Sequence, residues 1–297
     1  MTMTYTTLIS VAQLQALQAS GQPLMVFDCS FDLMNPQLGP QQFAQVHIDG
    51  AVYANLDTVL SSKGVRSETG AASGGRHPLP AREAFAHWLT RIGFSNSMQA
   101  VVYDRQGVNY CGRLWWMLKW LGHEQVAVLD GGLQAWQAAG GSVTSADAYS
   151  GLAEKSPGAA PFKVNAPLVQ LLQASEVLEG LTGNAQHIVD ARGAPRFRGE
   201  VEPIDPVAGH IPGALNRPFA LNIGSDGRFK PAEVLRAEFE QLLGQRDAAG
   251  VVHHCGSGVS AVPNIIAMEI AGMGRSALFA GSWSEWCSDP ARPVAQG

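Results

Sequence analysis

One cysteine in this sequence stands where residue types and spacing could do covalent chemistry. The stretch Val251-Val252-His253-His254-Cys255-Gly256-Ser257-Gly258-Val259-Ser260-Ala261 reads as a β-strand, a cysteine, a short turn and the start of a helix. An apolar run through Ile265, Ile266, Met268 and Ile270 continues the helix. Gly256 and Gly258 let the backbone curl so that its N–H groups point inward, and the helix N-terminus adds partial positive charge. Both effects favour an anion and lower a thiol pKa, so the loop is a place to make and keep a thiolate. A buried structural cysteine is the alternative, because free cysteine is among the most buried residue types. The Gly-Ser-Gly turn and the helix start behind Cys255 favour the nucleophile.

Neighbouring residues narrow the chemistry. His253 and His254 beside Cys255 suggest a metal site, but adjacent strand residues point to opposite faces and the three cannot converge on one ion. One histidine is expected to pack in the sheet and the other to lie near a cleft. A cysteine-dependent phosphatase needs an arginine closing the loop, and none follows Cys255 before Arg275. The other cysteines, Cys29, Cys111 and Cys287, lie far apart without a Cys-x-x-Cys pair, so reduced thiols are expected. Cys111, inside an expected helix, reads as a core thiol.

The elements that must position Cys255 recur twice. A helix is expected from Val11 to Ala19 and a strand at Leu24-Met25-Val26-Phe27-Asp28. A polar loop from Ser61 to Gly75 leads to a helix from Ala81 to Ile92, a strand from Ala100 to Tyr103, a tryptophan-rich helix around Arg113 to Leu121 and a strand from Val126 to Leu129. Strands alternating with helices imply a mostly parallel sheet covered on both faces. The second half repeats the order. Ile188-Val189-Asp190 answers Val26-Phe27-Asp28, and His210-Ile211-Pro212-Gly213-Ala214 answers His47-Ile48-Asp49-Gly50-Ala51. Val251-Val252 answers Val101-Val102, and Gly281-Ser282-Trp283-Ser284-Glu285-Trp286 answers Gly131-Gly132-Leu133-Gln134-Ala135-Trp136. From Val101 to Val251 the offset is 150, which sets Cys255 against Arg105 and leaves the nucleophile to the second copy alone.

The 297 residues suit two α/β domains, expected at 1–145 and 162–297 and joined by a Ser, Ala, Gly and Pro-rich linker at 146–161. With 15% charged and 46% hydrophobic residues the chain reads as globular, and a net charge of −5 argues against a nucleic-acid or membrane surface. No apolar run approaches the ~20 residues of a membrane span, and Met1-Thr2-Met3-Thr4-Tyr5 lacks the basic start of a signal peptide, so a cytoplasmic location is expected.

The paired His-Ile-x-Gly-Ala motifs, Arg113-Leu114-Trp115-Trp116-Met117, Gly281-Ser282-Trp283-Ser284-Glu285-Trp286 and the Cys255 loop together resemble the two-domain rhodanese-like sulfurtransferases, over nearly the whole chain. The resemblance implies tandem rhodanese-like domains, an inactive first copy, an active second one and a site in the cleft between them. There the cysteine takes a sulfane sulfur as a persulfide. Cys255-Gly256-Ser257-Gly258-Val259 resembles the mercaptopyruvate members, whereas a basic pair after the cysteine marks the thiosulfate members. Thiosulfate is a compact dianion that needs cations beside its sulfur, and an uncharged loop suits mercaptopyruvate better.

The resemblance also implies roles for single residues. Ser257 is matched to a loop serine that works with a histidine and an aspartate of the first domain, here His77 and Asp57, in a relay that moves a proton. Arg196, within Asp190-Ala191-Arg192-Gly193-Ala194-Pro195-Arg196-Phe197-Arg198-Gly199, is matched to the residue that grips the anionic donor. Read without the family, three arginines in seven residues suggest a solvated face. Backbone N–H groups from Gly256 through Ser257, Gly258, Val259 and Ser260 to Ala261 would steady the charged sulfur. A second substrate arginine is expected further along, where this chain has Ile204. The implied reaction moves sulfur from 3-mercaptopyruvate to a thiol or cyanide, with thioredoxin as one protein acceptor and neither metal nor organic cofactor. A thiosulfate sulfurtransferase and a non-enzymatic sulfur carrier are the competing expectations.

Overall fold

The computed structural model describes residues 3–63, 70–145, 160–183 and 186–297. The expected linker at 146–161 therefore lies outside the described residues except for its last two, as do residues 64–69 of the polar loop. The chain forms two compact units, one of residues 1–62, 80–168 and 225–228, the other of residues 63–79, 169–224 and 229–297.

The first unit holds β1 (Leu8–Ile9), α1 (Val11–Ala19), β2 (Leu24–Asp28), α2 (Leu38–Gln45), β3 (His47–Ile48), β4 (Val52–Tyr53), α3 (Arg82–Arg91), β5 (Gln99–Tyr103), α4 (Cys111–Trp120), β6 (Val126–Leu129), α5 (Gly132–Ala138) and β7 (Val143–Thr144). Its sheet runs β1-β6-β5-β2-β4 with every neighbouring pair parallel, and β3 pairs antiparallel with β7 beside it. Local chemistry fixes the first helix. Ser10 Oγ accepts the Gln13 N–H while Gln13 Oε1 accepts the Ser10 N–H, closing a capping box ahead of buried Val11, Leu14 and Leu17. All of α4 is buried, including Arg113 and Lys119, whose ammonium lies 4.7 Å from the centre of the Trp115 ring.

The second unit holds β8 (Leu171–Leu172), α6 (Ala174–Gly180), β9 (His187–Asp190), α7 (Ala194–Phe197), β10 (Leu215–Asn216), α8 (Ala232–Leu243), β11 (Val251–His254), α9 (Val262–Ile270), β12 (Ala277–Phe279) and α10 (Ser282–Trp286). Its sheet runs β8-β12-β11-β9-β10, again wholly parallel, so the same order appears strand for strand. The expected class, α/β with two parallel-sheet domains flanked by helices, is the one observed. No helix among the described residues is long and apolar enough to cross a membrane.

The repeated motifs do the same work in both copies. His47 donates from Nδ1 to the Phe43 carbonyl at 2.7 Å and stacks on the Phe43 ring at 3.7 Å. His210 does so with the Phe197 carbonyl at 2.8 Å and the Phe197 ring at 3.9 Å. The strand register, however, corrects the offset read from the paired valines. Asp28 lies beside Tyr103 and Asp190 beside His254, so His254 answers Tyr103 and Cys255 answers Asp104, not Arg105. The helices agree, since α4 begins seven residues after Asp104 and α9 seven residues after Cys255. The offset there is 151, and the two valine pairs differ by one step because repeated β-branched residues carry no register of their own.

Candidate active site

Cys255 leaves the end of β11 with its backbone held from the start of α10. Its N–H donates to Ser282 Oγ at 3.1 Å, its carbonyl accepts the Trp283 N–H at 3.0 Å, and the Gly256 carbonyl accepts the Ser284 N–H at 3.0 Å. The Gly-Ser-Trp-Ser segment therefore clamps the peptide of Cys255. Gly258 has φ of +74°, and a Cβ there would stand 2.1 Å from the Ala280 carbonyl oxygen, so the turn closes only with glycine. Val259 and Ala261 are buried, and α9 starts at Val262 with Pro263 in its first turn. Cys255 itself is 3% exposed.

The equivalent loop of the first unit shows what this backbone can hold. Asp104 Oδ1 accepts the N–H groups of Gln106 and Val108, both at 3.0 Å, and Oδ2 accepts those of Tyr110 at 2.8 Å and Cys111 at 2.9 Å. Four inward amides thus surround one carboxylate. Arg105, the residue after it, turns onto Asp28 at 3.0 Å and onto the carbonyls of Gln42 and Val46. In the second unit the corresponding residues are a thiol, Cys255, and no side chain at all, Gly256.

Two of the expected partners meet on the loop that begins at Cys255. His77 Nδ1 lies 2.8 Å from Ser257 Oγ, with both residues buried. His77 is carried by the segment 63–79, which packs with the second unit. The Arg76 N–H donates to Ser284 Oγ at 3.0 Å and the Leu79 N–H to Ser73 Oγ at 2.9 Å, which fixes the segment on both sides of the imidazole. Asp57 belongs to the first unit, where its N–H donates to Asn55 Oδ1 at 2.8 Å.

The three arginines of the 190–199 stretch have three different fates. Arg192 is buried, forks onto Asp190 at 2.7 Å and lies 4.7 Å over the Trp283 ring. Arg198 pairs with Glu200 in solvent. Arg196 is partly exposed, with Nε and Nη2 on Glu202 at 3.1 and 2.6 Å and Nη2 also on Asp205 at 3.1 Å. Only Arg198 fits the solvated-face reading. Burial works against the Glu202 carboxylate, but Arg196 and the N–H groups of Asp205 and Ile204 hold its carboxyl below the usual range. At the expected position of a second arginine, Ile204 contributes its N–H to Glu202 at 3.1 Å.

The histidines before Cys255 are both fully buried, so neither lies open to a cleft. His253 Nε2 faces Met268 Sδ at 3.1 Å, and burial pushes its imidazole down to about 3. His254 Nδ1 lies 3.1 Å from the Cys255 carbonyl and Nε2 lies 3.5 Å from Asp190. Burial holds His254 below its ordinary value against the pull of Asp190. Burial also works against the Asp190 carboxylate, yet His254 and the Arg192 fork keep its carboxyl below the ordinary value. The remaining thiols are held protonated. Burial pushes Cys29 and Cys111 well up, with Asp28 and Asp104 adding to the effect, and it raises Cys287 beside Asp205.

Sequence reasoning did not single out Arg76, Glu202 or Asp205. The carboxylates at 200, 202 and 205, following directly on arginines at 192, 196 and 198, were the available signal that this stretch is internally paired.

A cysteine on a strand-to-helix loop, in the second of two parallel-sheet units of the same strand order, has counterparts among known proteins. The rhodanese-like domain model matches residues 10–139 and again 173–289. This chain belongs to the two-domain rhodanese-like sulfurtransferases. It is accordingly an enzyme, a sulfurtransferase. Among its relatives is a Pseudomonas aeruginosa protein named Probable 3-mercaptopyruvate sulfurtransferase, 44% identical over 96% of this chain and 97% of that one. An Arabidopsis thaliana protein named Thiosulfate/3-mercaptopyruvate sulfurtransferase 2 is 34% identical over 91% of this chain and 81% of its own length. The solved 3-mercaptopyruvate sulfurtransferase from Leishmania major superposes with a TM-score of 0.76 at 29% identity, covering 95% of this chain and 74% of that one.

Proposed function

We propose that this sulfurtransferase takes sulfur from 3-mercaptopyruvate onto Cys255 and passes it to a thiol or to cyanide. The observation that carries the reading is the His77–Ser257 pair at 2.8 Å, on the loop that begins at Cys255. In the reaction, the Cys255 thiolate attacks the donor's thiol sulfur. A sulfur–sulfur bond forms, the carbon–sulfur bond breaks, and its electron pair leaves as the pyruvate enolate. The thiol proton ends on that enolate carbon, giving pyruvate and a Cys255 persulfide. Ser257 Oγ and His77 Nδ1 supply the path for the proton, which is general acid–base work. Asp57 is the third candidate of the relay, on the resemblance alone. Arg196 holds the donor's carboxylate, and inward amides from Gly256 to Ala261 steady the sulfur anion, as the equivalent amides steady Asp104. The acceptor then attacks the outer sulfur and restores the thiolate.

The proposed setting is the cytoplasm, with thioredoxin as one acceptor, and the proposed domain limits are 1–145 and 162–297. Incubation with 3-mercaptopyruvate and a small thiol should release pyruvate over many cycles. A single equivalent of sulfur followed by arrest would instead identify a carrier. The Arabidopsis relative's double name makes thiosulfate the second donor to test. A kcat/KM higher for thiosulfate than for mercaptopyruvate on one preparation would reverse the assignment. Arg196→Ala should raise KM for the donor about ten- to a hundredfold, the loss of a charged hydrogen bond.

A further inference from the structure

The side chain that residue 256 lacks would grow into a space already bounded by two guanidinium groups. A Cβ on Gly256 would stand 3.1 Å from Arg76 Nη2 and 3.6 Å from Arg196 Nη1. Asp205 bridges the pair, accepting Arg76 Nη1 on Oδ1 at 2.5 Å and Arg196 Nη2 on Oδ2 at 3.1 Å. One carboxylate thus holds two cations convergent on the residue next to the nucleophile. The arginines do not exhaust themselves on it. Arg196 commits Nε and Nη2 to Glu202 and Asp205, and its Nη1 has no hydrogen bond among the described residues. Arg76 commits only Nη1, and its Nε is buried without a hydrogen-bond partner among the described residues. The loop is uncharged in sequence, but the space over it is not.

The first unit supports the assignment by contrast. There the residue equivalent to Gly256 is Arg105, whose own guanidinium turns onto Asp28 and nearby carbonyls, beside a carboxylate that already fills the amide ring. In the second unit glycine supplies no side chain of its own, and the guanidiniums of Arg76 and Arg196 take the corresponding space.

We propose that Arg76 is a second donor-binding residue, which takes one carboxylate oxygen of the sulfur donor on Nη2 while Arg196 Nη1 takes the other. Arg76 thereby supplies the cation that Ile204 cannot. The inference rests on the donor reading given above. A carboxylate held by one nitrogen from each of two guanidiniums is oriented as well as attracted, which sets the donor's thiol toward the cysteine. Arg76 is thus a residue of binding and specificity and not of proton transfer.

The test compares wild type, Arg76→Gln, Arg76→Lys and Arg196→Ala. The readouts are KM and kcat for 3-mercaptopyruvate and the inhibition constant of pyruvate, a carboxylate without the transferable sulfur. For Arg76→Gln, KM and the pyruvate constant should rise together by about tenfold or more, with kcat changed far less. Arg76→Lys, which keeps the charge but not the fork, should fall between the two and also serves if the glutamine variant does not fold. A merely structural Arg76 would lower kcat or the yield of folded protein without moving the pyruvate constant. Wild-type turnover with both constants within twofold in the Arg76 variants, while Arg196→Ala shifts them, would overturn the role of Arg76 alone. No pyruvate from wild type would overturn the donor reading and this inference with it.

Discussion

At the scale of single residues, the buried pair His77 and Ser257 is the arrangement most sensitive to conservative change. In the proposed relay the hydroxyl and the imidazole pass one proton as a unit, so removing either removes the path. Ser257→Ala and His77→Asn should each lower kcat with 3-mercaptopyruvate about 10²- to 10⁴-fold, and the double variant should be little worse than either single one. Losses that multiply in the double variant would show that the two side chains work separately. The sequence led to Cys255, Ser257, His77 and Arg196 through the loop and the family likeness, and the fold brings His77 to Ser257. What escaped was the pairing of charges. Arg76 and Asp205 lie 129 residues apart in sequence, and only the folded chain makes one carboxylate shared property of two arginines.

The loop between β11 and α9 is an element whose shape depends on one glycine. Gly258 has a positive φ, and its α-carbon faces the Ala280 carbonyl at a distance that leaves no room for a methyl group. Gly258→Ala should therefore lower the melting temperature and abolish sulfur uptake by Cys255, read by calorimetry and by the mass of one added sulfur atom. Uptake at the wild-type rate would mean that the turn does not need its glycine. Helix α1 and strand β2 were readable to the residue, because a capping box and an apolar pattern are local signals. The register of β11 against β5 was not. Runs of valine match equally well at neighbouring offsets, and the true one is set by pairing with β9, which places His254 beside Asp190.

For the molecule as a whole, one buried histidine in each unit sets an acid limit on stability. Burial pushes His253 down to about 3 and His123 down to about 4. In the unfolded chain both titrate near 6.5, so as the pH falls below that value the unfolded state binds protons the native state refuses. Stability should thus fall from about pH 6.5 toward pH 4, by up to about 1.4 kcal/mol per pH unit for each histidine. His253→Asn should flatten that slope in denaturant titrations run at several pH values, and an unchanged slope would remove His253 from the account. The tandem architecture was legible because whole motifs recur, and two stacked histidine–phenylalanine pairs now explain why. The allegiance of segment 63–79 was not legible, since a polar loop declares its packing partner only through tertiary contacts. The carboxylate of Asp104 has a last implication. A chain whose first unit sets a carboxylate in an amide cup, at the place where the second unit carries Cys255, contains its own calibration sample for the proposed sulfur site. Amide proton shifts of Gln106, Val108, Tyr110 and Cys111 offer an internal yardstick against which Ser257, Val259, Ala261 and Val262 can be followed as sulfur is loaded and unloaded.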